Sequence, residues 1–285
     1  MVAINAFFDC RLPLEERFRL IQRAGFGCVT LEWRKEEGEA AFRRQPELAR
    51  ALHLHIANAH AHYDQTDRLW EEGPEGERAL AYFLRRIEDC AQHEIPVMVL
   101  HAYHGPWPAR DDPARRKLRR PRVYPTEREP ASAVGLARFL TMAERAETLG
   151  LTLALENIFL GEVTARTTWL LEQLPQIGLC YDSGHHHCRR EGTADLLRRF
   201  GPRLAALHLH DNHGRPMYDE HLLPFDGTID WPAQMRTIAQ TGYRGPTALE
   251  LHQEWGYPNT GPEELLALAY ERAQWLEGLR TEVIE

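Results

Sequence analysis

The feature that most constrains this chain is an alternation, from end to end, of short apolar runs with longer stretches of helical period. Residues 2–8, 27–33, 53–59, 96–101, 151–156, 177–181, 204–210 and 246–251 read as eight buried strands. Between them, 14–24, 77–93, 131–149, 167–174, 193–200, 231–240 and 263–279 space apolar residues by three and four, as Leu14, Phe18 and Ile21 do in the first. Gly25 and Gly242 close helical stretches at matching places before strands two and eight, the usual position of a left-handed helix cap. Eight strand–helix repeats in 285 residues predict an α/β fold, a single-domain (β/α)8 TIM barrel. An open doubly wound sheet is the alternative. No G-x-G-x-x-G follows the first strand, so its dinucleotide-binding version has no support.

In a parallel barrel all strand C-termini meet on one face, where active sites sit. Five consecutive strands finish on ligand-type residues: His101, Glu156, Asp182, His208 and Glu250. One such residue is ordinarily a polar cap, but five in succession are a pattern. Carboxylates gathered that closely resist ionisation unless a cation compensates them. Imidazole with carboxylate suits zinc, manganese or iron. The loops add His60 (with His62 competing), His185 three residues after Asp182, and the pair Asp219 and His221. Nine candidates exceed the needs of one ion, so more than one divalent ion per chain is open. His210 faces the same way as His208 and is a candidate either to support the ligands or to touch substrate. His53, His55, His93, His104, His186, His187, His213 and His252 have no spacing argument and read mostly as surface or supporting residues.

The formal net charge of -8 argues against a dedicated nucleic-acid binder. No apolar run is long enough to span a membrane, and the first residues lack the plan of a secretory signal. The five cysteines are scattered and form no C-x-x-C pair, which makes a reducing cytoplasm the default location. Residues 104–130 break the rhythm with six prolines and a local surplus of four positive charges. This insertion follows strand four and would overhang the catalytic face. It reads either as a solvated loop or as a lid whose Arg119 and Arg122 meet a phosphate or another anion.

Several runs together resemble the xylose-isomerase-like TIM barrels, the group that holds sugar isomerases and epimerases together with endonuclease IV. They are Leu155-Glu156-Asn157, Tyr181-Asp182-Ser183-Gly184-His185, His208-Leu209-His210-Asp211-Asn212, the stretch from Asp219 to Trp231, and Ala248-Leu249-Glu250. In the epimerase branch, the resemblance implies one divalent metal held by Glu156, Asp182, His208 and Glu250. The two glutamates also move protons, and His185 touches substrate. In the endonuclease branch it implies three zinc ions. His60, His101 and Glu156 hold the first; Glu156, Asp182, His208 and Glu250 the second; His185, Asp219 and His221 the third. The resemblance thus implies one to three divalent metal ions per chain, zinc or manganese. Strand two ends Leu31-Glu32-Trp33, like the isomerase branch, and 34–38 does not match the endonuclease's DNA-probing loop. Within 225–231, Phe225 replaces a more usual Gly and Asp226 a more usual Glu.

The expected activity is a metal-dependent isomerase or epimerase acting on a sugar or sugar phosphate through an enediolate. Glu156 and Glu250 would be the acid–base pair, and His185 would bind a substrate oxygen. Trp33, Phe7 and Tyr63 would either form an apolar wall against the sugar or serve ordinary packing. The alternative is a phosphodiester hydrolase with a multinuclear zinc site. Nucleic acid is a partner only under that alternative, with residues 110–128 on its phosphates. A non-catalytic binding barrel fits the complete ligand set poorly. No membrane partner is expected, and a homo-oligomer is compatible with the sequence.

Overall fold

The structure, a computed structural model, describes residues 1–34, 37–104, 130–159, 161–188, 196–216 and 218–282. The expected contacts of Arg119 and Arg122 with an anion, and the course of the basic insertion, lie outside these residues. The strands are β1 Val2–Asn5, β2 Cys28–Glu32, β3 His55–His60, β4 Val97–His101, β5 Thr152–Glu156, β6 Gly178–Asp182, β7 Leu204–His208 and β8 Thr247–Leu249. All pair in parallel, in the order β7-β6-β5-β4-β3-β2-β1-β8. The barrel closes between β7 and β8 through a parallel bridge of Leu209 with Leu249. Leu209 N–H donates to Ala248 O at 2.9 Å, and Glu250 N–H donates to Leu209 O at 3.0 Å. The expected (β/α)8 barrel is the observed fold.

The helices are α1 Leu14–Arg23, α2 Gly38–Ala51, α3 Pro74–Gln92, α4 Pro130–Thr148, α5 Gly161–Gln173, α6 Ser183–His187, α7 Leu196–Phe200, α8 Trp231–Gln240, α9 Gln253–Gly256 and α10 Pro262–Thr281. Helix α2 is not expected from the sequence. Pro46 lies inside it, and much of its surface is charged. It forms because Phe42 stacks on Trp33 at 3.5 Å, while the amide of Gln45 donates to Glu32 O at 2.9 Å. Tertiary packing here overrides weak local propensity. Pro74 and Pro262 occupy first helical turns, where the missing N–H costs nothing.

The two faces of each strand separate cleanly. Met98, Leu100, Leu153, Leu155, Leu179, Tyr181 and Leu207 belong to the large core beneath the helices. Val97, Val99, Ala154, Cys180 and Ala206 pack together inside the barrel, and Ala3, Cys28 and Ala248 form a second small interior group. Side chains two apart on a strand face the same way. Counting upward in twos from these interior residues reaches His101, Glu156, Asp182, His208, Glu250 and Glu32. The interior pleat therefore delivers the polar residues to one end of the barrel. Asn5 ties that end of the β1–β8 seam by exchanging two 2.9 Å hydrogen bonds with the Leu251 backbone.

Candidate metal centre

Glu156 is the hub of the upper barrel. Its Oε2 lies 3.0 Å from His60 Nε2, 3.4 Å from His101 Nε2 and 3.4 Å from His208 Nδ1. Its Oε1 lies 3.2 Å from His185 Nδ1. Two donors about 2.1 Å from one ion, at angles of about 90° to 109°, sit roughly 3.0–3.4 Å apart. The spacings from Glu156 Oε2 to His60, His101 and His208 match that range.

Three donor groups, each with its ligand-type atoms within 4.8 Å of one another, overlap here: His60, His101 and Glu156; Glu156, Asp182, His208 and Glu250; and His185, His210, Asp219 and His221. All nine residues expected as ligands are thus brought together, and Glu156 links the first two groups. His60 rather than His62 reaches the cluster; His62 instead approaches Asp64 and stacks on Tyr63. Cys180 lies within reach of Glu156 and His208, but burial pushes its thiol up to about 12.

The imidazoles are oriented as metal ligands commonly are. His60 Nδ1 donates to Ala61 O at 2.8 Å, His185 Nδ1 to Asn157 O at 3.0 Å, and His221 Nδ1 to Glu250 O at 3.1 Å. A carbonyl can only accept, so Nδ1 carries a proton in each ring, and the other nitrogen, the one a bound ion would use once deprotonated, faces a carboxylate: Glu156 for His60, Asp219 for His185 and His221. Backbone carbonyls holding the outer nitrogen are a typical outer shell of a metal site. Further buried atoms have no hydrogen-bond partner among the described residues: Nδ1 of His101, His208, His210 and His252, Oδ1 of Asp219, and Oε2 of Glu250. Orphaned buried donors and acceptors are costly, and a divalent cation satisfies carboxylate oxygens and neutral imidazoles at once. The residues fit such an ion.

Electrostatics point the same way. Burial pushes the Glu156 carboxyl up, but the imidazoles of His208, His101 and His185 outweigh it and hold it well below the usual carboxylate range. Asp219 is held low against burial by His221, His210 and His185. Burial works against charge on His185, yet Asp182 and Asp219 raise it well above the ordinary histidine value. For His101 burial wins over Glu156, lowering it to about 4. Glu32 is pushed up to about 7 by burial, against the pull of Arg34 and His60.

Loop structure fixes the third group. Asp211 is buried and accepts from Asn212 N–H, Phe225 N–H, Ile229 N–H and the Trp231 indole, at 2.7–3.1 Å. This pins the loop that carries Asp219 and His221. Phe225 has φ 74 and His221 φ 49, conformations that favour glycine. The glycine that the resembling family more often has at the Phe225 position is therefore explained by backbone geometry.

A cavity of about 400 Å³ opens over the cluster. Phe7 and Tyr63 line it, as expected for a wall against substrate. Trp33 does not: it is 3% exposed, stacks on Phe42, and serves the core. His210 is 0% exposed and also lies off the cavity wall, with Nε2 3.1 Å from Asp182. Both rings are sealed by packing, so Trp33 takes the packing role the sequence left open and His210 the supporting role behind the cluster. Conversely, Glu32, Arg34, His104, His252 and Trp255 line the cavity and were not singled out by the sequence. Interior parity would have found Glu32 and His252, which sit two residues above Thr30 and Glu250.

The family profile of the xylose isomerase-like TIM barrel matches residues 18–279. The chain belongs to the xylose isomerase-like TIM barrel family. It is similar to the uncharacterized protein y4fM of Sinorhizobium fredii, 50% identical over 74 residues, or 26% of this chain and 23% of that protein. The chain thus spans about a quarter of that relative's length. The rhizopine catabolism protein MocC of Rhizobium meliloti is 26% identical over 286 residues, covering 90% of this chain and 82% of that one. Among solved structures, D-psicose 3-epimerase of Clostridium cellulolyticum superposes with a TM-score of 0.70 at 13% identity, covering 99% of each chain. That likeness is one of fold. Among the described residues, no helix of this family member is long and apolar enough to cross a membrane.

Proposed function

We propose that this protein is a divalent-metal-dependent isomerase or epimerase acting on a sugar or sugar phosphate. The single observation that carries the reading is the convergence of Glu156, Asp182, His208 and Glu250 into one donor group, from which Glu156 and Glu250 face an open cavity. Neighbours in fold include proteins named D-psicose 3-epimerase and L-ribulose 3-epimerase, and a curated relative over part of the chain is named inosose isomerase. Those names support a polyhydroxylated ketone as the substrate class.

A bound zinc or manganese ion would supply Lewis-acid polarisation of a carbonyl and its neighbouring hydroxyl. Glu156 and Glu250 reach the floor from β5 and from the end of β8. One removes the proton beside the carbonyl, and the other returns a proton on the opposite face. His185, held through Nδ1 by Asn157 O, would hydrogen-bond a substrate oxygen. Phe7 and Tyr63 cover apolar faces of the sugar and exclude water. The five free thiols are in keeping with a reducing cytoplasm.

A second reading, phosphodiester hydrolysis by a multinuclear zinc site, is favoured by one observation. The donor groups built on His60 and His101, and on His185, Asp219 and His221, stand beside the quartet. Metal analysis after purification without chelator separates the readings: one ion per chain for the epimerase, three for the hydrolase. Metal-loaded protein should interconvert D-psicose or an inosose with its epimer or isomer, and leave abasic-site DNA uncut. DNA cleavage without sugar turnover would reverse that order.

A further inference from the structure

His252 has no part in the ligand set described so far, yet it completes a donor group of its own. One ring nitrogen of His252, one of His221 and a carboxylate oxygen of Glu250 all lie within 4.8 Å of one another. His252 is 8% exposed, it lines the cavity, and its Nδ1 has no hydrogen-bond partner among the described residues. The ring is held from three sides. Trp255 stacks on it at 4.0 Å, His221 meets it edge-on at 4.6 Å, and Phe7 tilts against it at 5.3 Å. The following backbone is anchored as well, since Gln253 N–H donates to Phe8 O at 2.8 Å.

A buried imidazole costs free energy when a ring nitrogen is left without a partner. Locking such a ring beside two other donors makes sense when something binds the three together. We infer that His252 is an additional metal ligand, joining His221 and Glu250 around one divalent ion. Glu250 then belongs to two donor groups, as Glu156 does. The quartet and the His221 side of the cluster become one continuous chain of donors along the cavity floor. This inference rests on the reading of the barrel top as a metal centre.

The test uses cobalt(II) as the probe in the full-length, metal-stripped protein. Wild-type protein, His252→Gln and His252→Cys are titrated and followed by visible absorption. His252→Gln should bind the weakest-held cobalt ion at least about 10-fold less tightly and change the ligand-field bands. His252→Cys should recover tight binding and add a cobalt–thiolate charge-transfer band, which a residue that only packs cannot produce. Unchanged affinity and bands in His252→Gln, or no thiolate band in His252→Cys, would overturn the role of His252. Failure of the wild-type protein to bind cobalt would instead overturn the metal centre itself, and His252 with it.

Discussion

His208 Nδ1 and Glu250 Oε2 lie 2.9 Å apart, and neither atom makes a hydrogen bond of acceptable geometry. The same nitrogen is 3.4 Å from Glu156 Oε2. Two carboxylate oxygens, one from β5 and one from just past β8, thus converge on one nitrogen without satisfying it. A shared cation resolves that arrangement.

Metal should stabilise the fold. At a free zinc or manganese concentration 100 times Kd, linkage gives about 2.7 kcal/mol. Differential scanning calorimetry with excess metal and with chelator should show a higher Tm in metal. Identical transitions would show that the donors hold no ion.

Metal binding should release protons near neutral pH. Burial opposes charge on His185 and His208, but adjacent carboxylates raise both well above the ordinary value. In the metal-free protein these rings carry protons at pH 7, and a bound ion displaces them. Affinity should therefore rise with pH. Titration calorimetry in buffers of different ionisation enthalpy should give different apparent heats; equal heats would contradict the prediction.

Glu156 is shared between two donor groups, whereas Asp219 serves one. Glu156→Gln should therefore lose more metal per chain than Asp219→Ala, as read by elemental analysis. Glu156→Ala should also destabilise the metal-free protein by about 3–5 kcal/mol, because it leaves charged imidazoles buried without their carboxylate. Equal metal loss in the two variants would contradict the hub role.

Glu32 makes a separate prediction for the metal-free protein. Its carboxyl is raised by burial from 4.5 to about 7. A raised carboxyl favours the folded state at low pH, and that advantage is lost as pH rises from about 4.5 through about 7. The loss is at most about 3 kcal/mol. Urea unfolding at pH 5 and pH 8 should show a smaller difference in Glu32→Gln than in wild type. An unchanged difference would remove Glu32 as its source.

Much of this was legible in the chain because a parallel barrel buries both faces of its strands. Such strands appear as apolar runs, and the runs stop where the barrel opens, so His101, Glu156 and Asp182 mark their own ends. Parity was the overlooked signal. Residues two apart share a face, so Glu250 predicts His252 and Thr30 predicts Glu32. Helix α2 stayed hidden because Pro46 and its charges mask the packing of Phe42 on Trp33. The burial of Trp33 and His210 depends on partners distant in sequence, which no local pattern announces.

The central claim is proton transfer at a substrate carbon by Glu156 and Glu250. The most direct measurement is deuterium incorporation, followed by proton NMR, when metal-loaded protein turns over a panel of ketoses in D2O. The account predicts loss of the C–H signal beside the carbonyl in wild-type protein, and at least about 100-fold slower loss in Glu250→Gln. Turnover of a substrate with no exchange at that carbon, or equal exchange in Glu250→Gln, would contradict it.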